Sequence, residues 1–390
     1  MADPESSLRL CLRSRWDPAA ASELAAKAAQ PDWNWEALAS LALAEGLAPL
    51  LHAQLSHSPL WATLPAEVRD MLVLAHEGSA IRSAVLLAGL EEILDRLRRA
   101  GVSALLLKGA AVAERLYGDP ALRPMNDLDL LIHEADVEKA LAVLMACGYR
   151  TTRVEERPGI AIGYESEIAL ARPGLIGISV ELHWRLFDSP LHRRRVDAGW
   201  FWEAATPLQI AGHEVRTLSS TALFLYLAGH LMLHHRGEGM RWWLDLVALI
   251  HHAGEQIDWS TLSTRADAFA LIIPLQQATE TLVNMWGVHI APDAMKRLMG
   301  LRPSAAERRA YARLRARSRS AAQRFWSNLV ALPTWKARAH FAWMHMVPTP
   351  AYMAARYRPP HPWLIPLLYP WRWLIGLAGV ATSAAIRRSG

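Results

Sequence analysis

The rhythm of apolar and polar positions changes twice along the chain. Residues 1–98 carry a helical period, clearest over 37–51, where Gly46 and Pro49 punctuate the end, and over 80–97, which closes on Glu91, Glu92, Asp95 and Arg96. Ser79 stands where an N-cap of that second helix is expected. At Gly101 the texture shifts. Residues 102–107 are an unbroken apolar run of the kind that forms a short buried strand, ended by Lys108-Gly109. Residues 110–117 predict a helix, Gly118-Asp119-Pro120 a turn, and 127–132 a second strand. Asp136 begins a predicted helix that runs to about Cys147, with Gly148 just past its end. Two further strands are expected at 164–171 and 178–186. From Thr221 the helical period returns, over 223–233, 242–252, 274–286 and the Arg/Ala-rich stretch after Ser304.

This order predicts an α+β fold, a small mixed sheet with helices on one face, flanked by helical N-terminal and C-terminal regions. The boundaries expected are 1–99 (helical), 100–218 (α/β), 219–360 (helical) and 361–390 (an apolar C-terminal segment). At 390 residues and 52% apolar content the chain is long enough for two or three domains with their own cores.

The net charge of +5 comes from scattered Arg, with clusters at Arg193–Arg195 and Arg308–Arg319 that read as solvated helix faces. It gives no extended basic groove for a polynucleotide. Two cysteines, Cys11 and Cys147, exclude a disulfide framework and suit a reducing cytoplasm. The opening Met1-Ala2-Asp3-Pro4-Glu5 has no apolar core of a secretory signal.

Tryptophan is in excess at 17, six of them beyond residue 325. The most apolar stretch starts at Trp363 and is interrupted by Pro366, Pro370 and Arg372. The clean run after Arg372 is about 14 residues, short of the roughly 20 that span a bilayer. Trp and Arg at one end and Arg387-Arg388 at the other suit a helix lying at a membrane interface. The first expectation is a terminal helix docked on the protein's own core, with interfacial contact as the alternative and a span as the third.

Chemistry concentrates in the α/β region. Alternation on a strand puts Asp127 and Asp129 on one face while Leu128 and Leu130 face a core. Two carboxylates so close raise each other's pKa unless a cation sits between them, and hard oxygen donors suit Mg²⁺. Asp-x-Asp alone is a weak signal, but its surroundings strengthen it. Upstream, Lys108-Gly109-Ala110 passes from strand to helix, where a glycine lets backbone amides approach phosphate. Downstream, Val180-Glu181-Leu182-His183 places Glu181 and His183 on one face, and Glu181 offers a third carboxylate for a two-metal site.

These motifs carry a specific resemblance. Leu107-Lys108-Gly109, Leu116-Tyr117-Gly118-Asp119-Pro120, Arg123-Pro124-Met125-Asn126-Asp127-Leu128-Asp129-Leu130-Leu131, Cys147-Gly148-Tyr149 and Glu181-Leu182-His183-Trp184 resemble a little-characterised bacterial nucleotidyltransferase family of the DNA polymerase β-like superfamily. The dense match spans 100–187, with weaker similarity around His234 and Arg241-Trp242-Trp243-Leu244-Asp245.

The resemblance implies Asp127, Asp129 and Glu181 as Mg²⁺ (or Mn²⁺) ligands and catalytic carboxylates, with Gly109 near the triphosphate. It implies transfer of a nucleoside monophosphate from an NTP, ATP first, to an acceptor hydroxyl. Lys108, Ala110 and Arg123 join Gly109 as candidate nucleotide-binding residues. The superfamily serine at the strand–helix turn is Ala110 here, the spacing from Gly109 to Asp127 is long, and the third carboxylate is Glu; the missing hydroxyl bears on the phosphate grip.

Other residues divide between roles. Lys108 either contacts phosphate or pairs with an aspartate, and Arg123 either binds triphosphate or forms a salt bridge. Asp119 is expected to fix the Gly-Asp-Pro turn. Glu165 and Glu167 are the fallbacks for the third ligand. His183 is expected to support the site rather than bind metal, and His183, His234, Arg241 and Asp245 are candidate cleft residues. His230 and His234, at helical i, i+4 spacing, lack a third zinc ligand in sequence, and Arg241 and Asp245 have the spacing of a helix pair. The acceptor expected is a small molecule, peptide or protein side chain. The competing readings are a non-catalytic nucleotide-binding module and a membrane-associated interaction protein with a vestigial α/β unit.

Overall fold

The computed structural model describes residues 3–315 and 321–386. Arg387 and Arg388, and the end of the Arg308–Arg319 cluster beyond Arg315, lie outside the described residues.

Seven strands form one mixed sheet in the order β3-β4-β5-β2-β1-β7-β6. They are β1 (Ala104–Leu106), β2 (Asp127–Ile132), β3 (Arg150–Thr151), β4 (Glu167–Arg172), β5 (Ile178–His183), β6 (Ala205–Ile210) and β7 (His213–Leu218). Strand β2 runs antiparallel to β1 and parallel to β5, and β1 runs parallel to β7.

The second strand matches its expected bounds, while the fourth starts later than expected because residues 160–164 close a helical turn, Ile160–Tyr164. The β6–β7 hairpin was not expected. Its two-residue turn, Ala211-Gly212, puts both residues at positive φ (50° and 81°), the geometry that matches strand twist, but without the Asn-Gly or Asp-Gly pair that advertises it.

Helices cover both faces of the sheet, not one. On one face Leu106, Leu128, Leu130 and Ile132 pack in a core with Leu90, Ile93, Leu97 and Leu144. On the other, Leu105, Leu107 and Leu131 join a core with Leu218, Phe224 and Leu244. The first core is roofed by the helix Ala66–Arg99 and by Val137–Ala146, the second by Ser220–Leu233 and its neighbours.

Ser79 is buried inside Ala66–Arg99 and does not cap a helix start; the apolar period simply continues upstream through Val68 and Leu72. By length and composition that helix could cross a membrane, and it is the only such helix among the described residues. Its Leu86, Leu90, Ile93 and Leu97 are nonetheless in the core beside the sheet. The period over 37–51 breaks at Gly46 (φ 68°) into Trp35–Ala44 and Ala48–Leu55.

Candidate functional site

Strand alternation makes β2 two-faced. Leu128 and Leu130 enter the core under Ala66–Arg99, so Asp127 and Asp129 face the helices of the C-terminal half. Asp129 is paired across the parallel ladder with Glu181, and Leu131 with His183. In the antiparallel β4–β5 ladder His183 is in turn opposite Glu167. The loop before Asp127 is held by Arg82, whose Nε donates to the Met125 carbonyl at 2.8 Å and whose Nη2 donates to that of Asn126 at 3.0 Å.

Asp129 is 1% exposed and takes two cations on one oxygen: Lys108 Nζ lies 2.9 Å and His183 Nε2 3.2 Å from Oδ1. Burial opposes the Asp129 carboxylate, yet Lys108 and His183 together hold its pKa well below the usual range. Burial likewise opposes the Lys108 ammonium, and Asp129 and Glu181 outweigh it and raise its pKa. His183 is pushed well above an ordinary histidine because, against its burial, it pairs with Asp129 and Glu167 (3.0 Å from Nδ1) and has the Glu181 carboxylate 3.6 Å from Nε2. Asp127 lacks such partners. Burial, Asp129 and Glu181 push its carboxyl up to about 6.

Asp129 Oδ2 is buried without a hydrogen-bond partner. Gly109, at φ 55°, sits beside it: a Cβ there would lie 3.7 Å from Oδ2 and 3.5 Å from the Asp127 carbonyl. The glycine therefore leaves a small cradle next to an orphaned carboxylate oxygen. A divalent cation bound by hard oxygens fits this donor set, and Asp129, Glu181 and His183 are the one group of three metal-capable side chains with converging atoms among the described residues. With no ion bound, the raised pKa of His183 leaves both ring nitrogens donating toward the carboxylates, and binding a metal through that ring would release its proton. Ala110, 1% exposed, starts the short helix after Gly109, and the next turn, Ala113–Tyr117, is wound wider than an α-helix.

The remaining sequence candidates sort clearly. Arg123 is buried and bidentate on Asp245, with Nη2 to Oδ2 at 2.7 Å, and Tyr117 donates to the same carboxylate at 3.0 Å. Asp245 thus pairs with Arg123 across the fold and not with Arg241 along the helix. Burial is the cost that this network offsets. Arg241 instead reaches the Pro124 carbonyl at 3.3 Å and lies over Trp242, while its Nε is buried without a partner. Asp119 accepts from Ala121 N at 2.8 Å and fixes the turn. Glu165 pairs with Arg153, away from the carboxylate group.

A cavity of about 230 Å³ opens beside Glu167 and His183, with His230, His234, Ser327 and Asn328 also on its wall. His230 stacks on His234 at 4.9 Å, and burial, then Lys108, press its pKa well below normal, so it stays neutral. Glu167 entered the sequence reading only as a fallback. Ser327 and Asn328, and Ser189 on the same wall, carry no periodic signal, since each is a lone polar residue in a turn or helix.

The sequence profile of a family described as an uncharacterised nucleotidyltransferase matches residues 31–287, which takes in the sheet, the site and the helices that cover it. No curated protein matches the chain. Among solved structures, the chain is similar to an antigenic nucleotidyltransferase-like protein from Paracoccidioides brasiliensis at 19% identity, covering 58% of this chain and 95% of that one, with a TM-score of 0.34. With its profile matched over most of its length, the chain belongs to that family of uncharacterised nucleotidyltransferases.

Proposed function

We propose that the chain transfers a nucleoside monophosphate from an NTP, with ATP the first candidate, to a hydroxyl or similar acceptor on a small molecule, peptide or protein. The observation that carries this reading is the unpartnered Asp129 Oδ2 beside the Gly109 cradle, with Asp127 and Glu181 adjoining. Asp127, Asp129 and Glu181 would hold Mg²⁺ or Mn²⁺. Bound there, the metal neutralises the triphosphate and lowers the pKa of the acceptor hydroxyl.

The chain's own residues set the rest. Gly109 lets the triphosphate approach the backbone. Lys108 and His183 keep Asp129 ionised and oriented before substrate arrives. Arg241, with a spare buried Nε and a place close enough to feel Asp127, is better placed to meet phosphate than Arg123, whose fork is committed to Asp245. The cavity at Glu167 and His234 is the room for the acceptor. In the transfer, the acceptor oxygen bonds to the α-phosphorus, the bond to the β-phosphate oxygen breaks, pyrophosphate leaves, and the hydroxyl proton passes to solvent.

The test is incubation of the chain with each α-labelled NTP, Mg²⁺ or Mn²⁺, and cell extract. Label transferred to an extract component with stoichiometric pyrophosphate supports the reading. Metal-dependent NTP binding without pyrophosphate release would instead support a non-catalytic nucleotide-binding module, in line with the alanine at position 110.

A further inference from the structure

Charge is distributed unevenly along this chain. After Glu307 there is no Asp or Glu as far as Gly390, while fourteen Lys or Arg fall in the same stretch. The overall charge of +5 is therefore a strongly basic C-terminal part joined to an acidic remainder. Lys336, Arg338, Arg356 and Arg358 are exposed.

Among the described residues, most of the exposed large apolar side chains fall in the same stretch. In the helix Ile365–Ile386, Leu367, Trp371, Leu374 and Ile375 follow helical spacing along one face and are 64%, 56%, 61% and 50% exposed. The opposite face is tied down. Tyr369 donates to the Pro348 carbonyl at 2.7 Å, Arg372 donates to Glu156 at 2.6 Å, and Trp373 Nε1 donates to the Met346 carbonyl at 2.6 Å. Docking and exposure thus coexist. The helix is fastened through polar contacts and its apolar face is left outward, with Trp363 exposed in the turn that leads into it.

We infer that this face is a docking surface for an anionic lipid bilayer. Tryptophan with exposed aliphatics and basic residues is the composition that settles at the headgroup boundary; the stretch itself has no acidic side chain to repel anionic lipid, and Glu156 against it is neutralised by Arg372. A nucleic acid would reward the basic residues and the aromatic rings, but not Leu367, Leu374 and Ile375, which acyl chains do reward. The helix Ala321–Ala331 links this surface to the cleft. It turns Ser327 and Asn328 to the cavity and leaves Trp326 and Val330 exposed. Docking would hold the cavity close to the membrane.

The experiment is co-sedimentation of the full chain with vesicles of phosphatidylcholine alone and of phosphatidylcholine mixed with phosphatidylglycerol, at low and high salt. Two variants accompany it, Trp363→Ser/Trp371→Ser/Leu374→Ser and Arg356→Glu/Arg358→Glu; all five side chains are exposed, and thermal melts check the fold. The expected result is binding to the mixed vesicles, weakened by salt, and reduced at least about tenfold in each variant. The inference is overturned if the wild type stays in the supernatant, if the apolar variant binds vesicles as well as wild type, or if the face only joins two copies, seen as a dimer that the apolar variant dissociates. Tighter binding to RNA than to mixed vesicles overturns it too. None of these readouts depends on nucleotidyl transfer.

Discussion

Asp129 on β2 and Glu181 on β5 are directly paired in a parallel ladder, so two acidic side chains 52 positions apart in sequence emerge side by side on one face of the sheet. Parallel pairing keeps both strands pointing the same way, and Asp127 and Ser179 fall on the same face two residues earlier. The two aspartates nevertheless live in different surroundings, and their substitutions should separate.

Asp127→Asn should abolish transfer and leave the apo protein as stable as wild type or slightly more so, because burial, Asp129 and Glu181 already push its carboxyl up to about 6. Asp129→Asn should also abolish transfer, but at a cost of about 3–5 kcal/mol, since buried Lys108 and His183 lose their shared counter-ion. Urea melts of both variants check this; equal stabilities would show that Lys108 is not held by Asp129.

Glu181→Gln should lower activity by orders of magnitude and weaken metal binding. Glu165→Gln should be mild, because that side chain faces Arg153. Glu167→Gln should be intermediate, as it removes one partner of His183 without removing an oxygen from the carboxylate group. Metal titration and turnover of the three variants rank them, and a Glu167 effect larger than that of Glu181 would move the third ligand to β4.

Gly109→Val should eliminate NTP binding and also destabilise the fold. At φ 55° and ψ −106° the backbone is in a region sparsely populated by L residues, so any side chain adds about 1–3 kcal/mol of strain, and the valine methyls would press on Asp129 Oδ2 and Met125. Gly109→Ala meets only ordinary contacts, so it should show the strain with a smaller loss of binding. Calorimetric titration with and without Mg²⁺, alongside melting curves, separates the two effects.

His192, behind the cavity wall and outside the carboxylate group, offers a pH test of stability. It is buried and fixed as a neutral ring, with Nε2 donating to the Ala270 carbonyl at 3.0 Å and Ser189 Oγ at Nδ1, and burial pulls its pKa down to about 4. In the unfolded chain it would titrate near 6.5. Acidification therefore protonates the unfolded state first. Its contribution is intact above about pH 6.5 and falls as pH drops toward about 4, by about 3 kcal/mol in all. In His192→Gln that part of the slope should vanish. Parallel stability profiles for variant and wild type over this window would refute the neutral, buried assignment.

The strands that carry the carboxylates were legible because strand alternation is local. Asp127 and Asp129 must share a face wherever the strand goes, and Leu128 and Leu130 mark the opposite face as purely apolar. The Lys108-Gly109 turn and the family resemblance were likewise readable from short spacings. Pairings across the fold were not. Asp245 has an arginine four residues back on its own helix, yet it binds Arg123, 122 residues away, because the helix Met240–Ala253 packs its inner face on the loop before β2. The cavity wall at Ser327 and Asn328 exists only where a late helix crosses the cleft. Sequence thus determined which residues share a local face, through fixed backbone periodicity. Tertiary packing decided which faces meet and which buried charge each cation serves, since burying one charge demands a partner from whatever element is nearest in space.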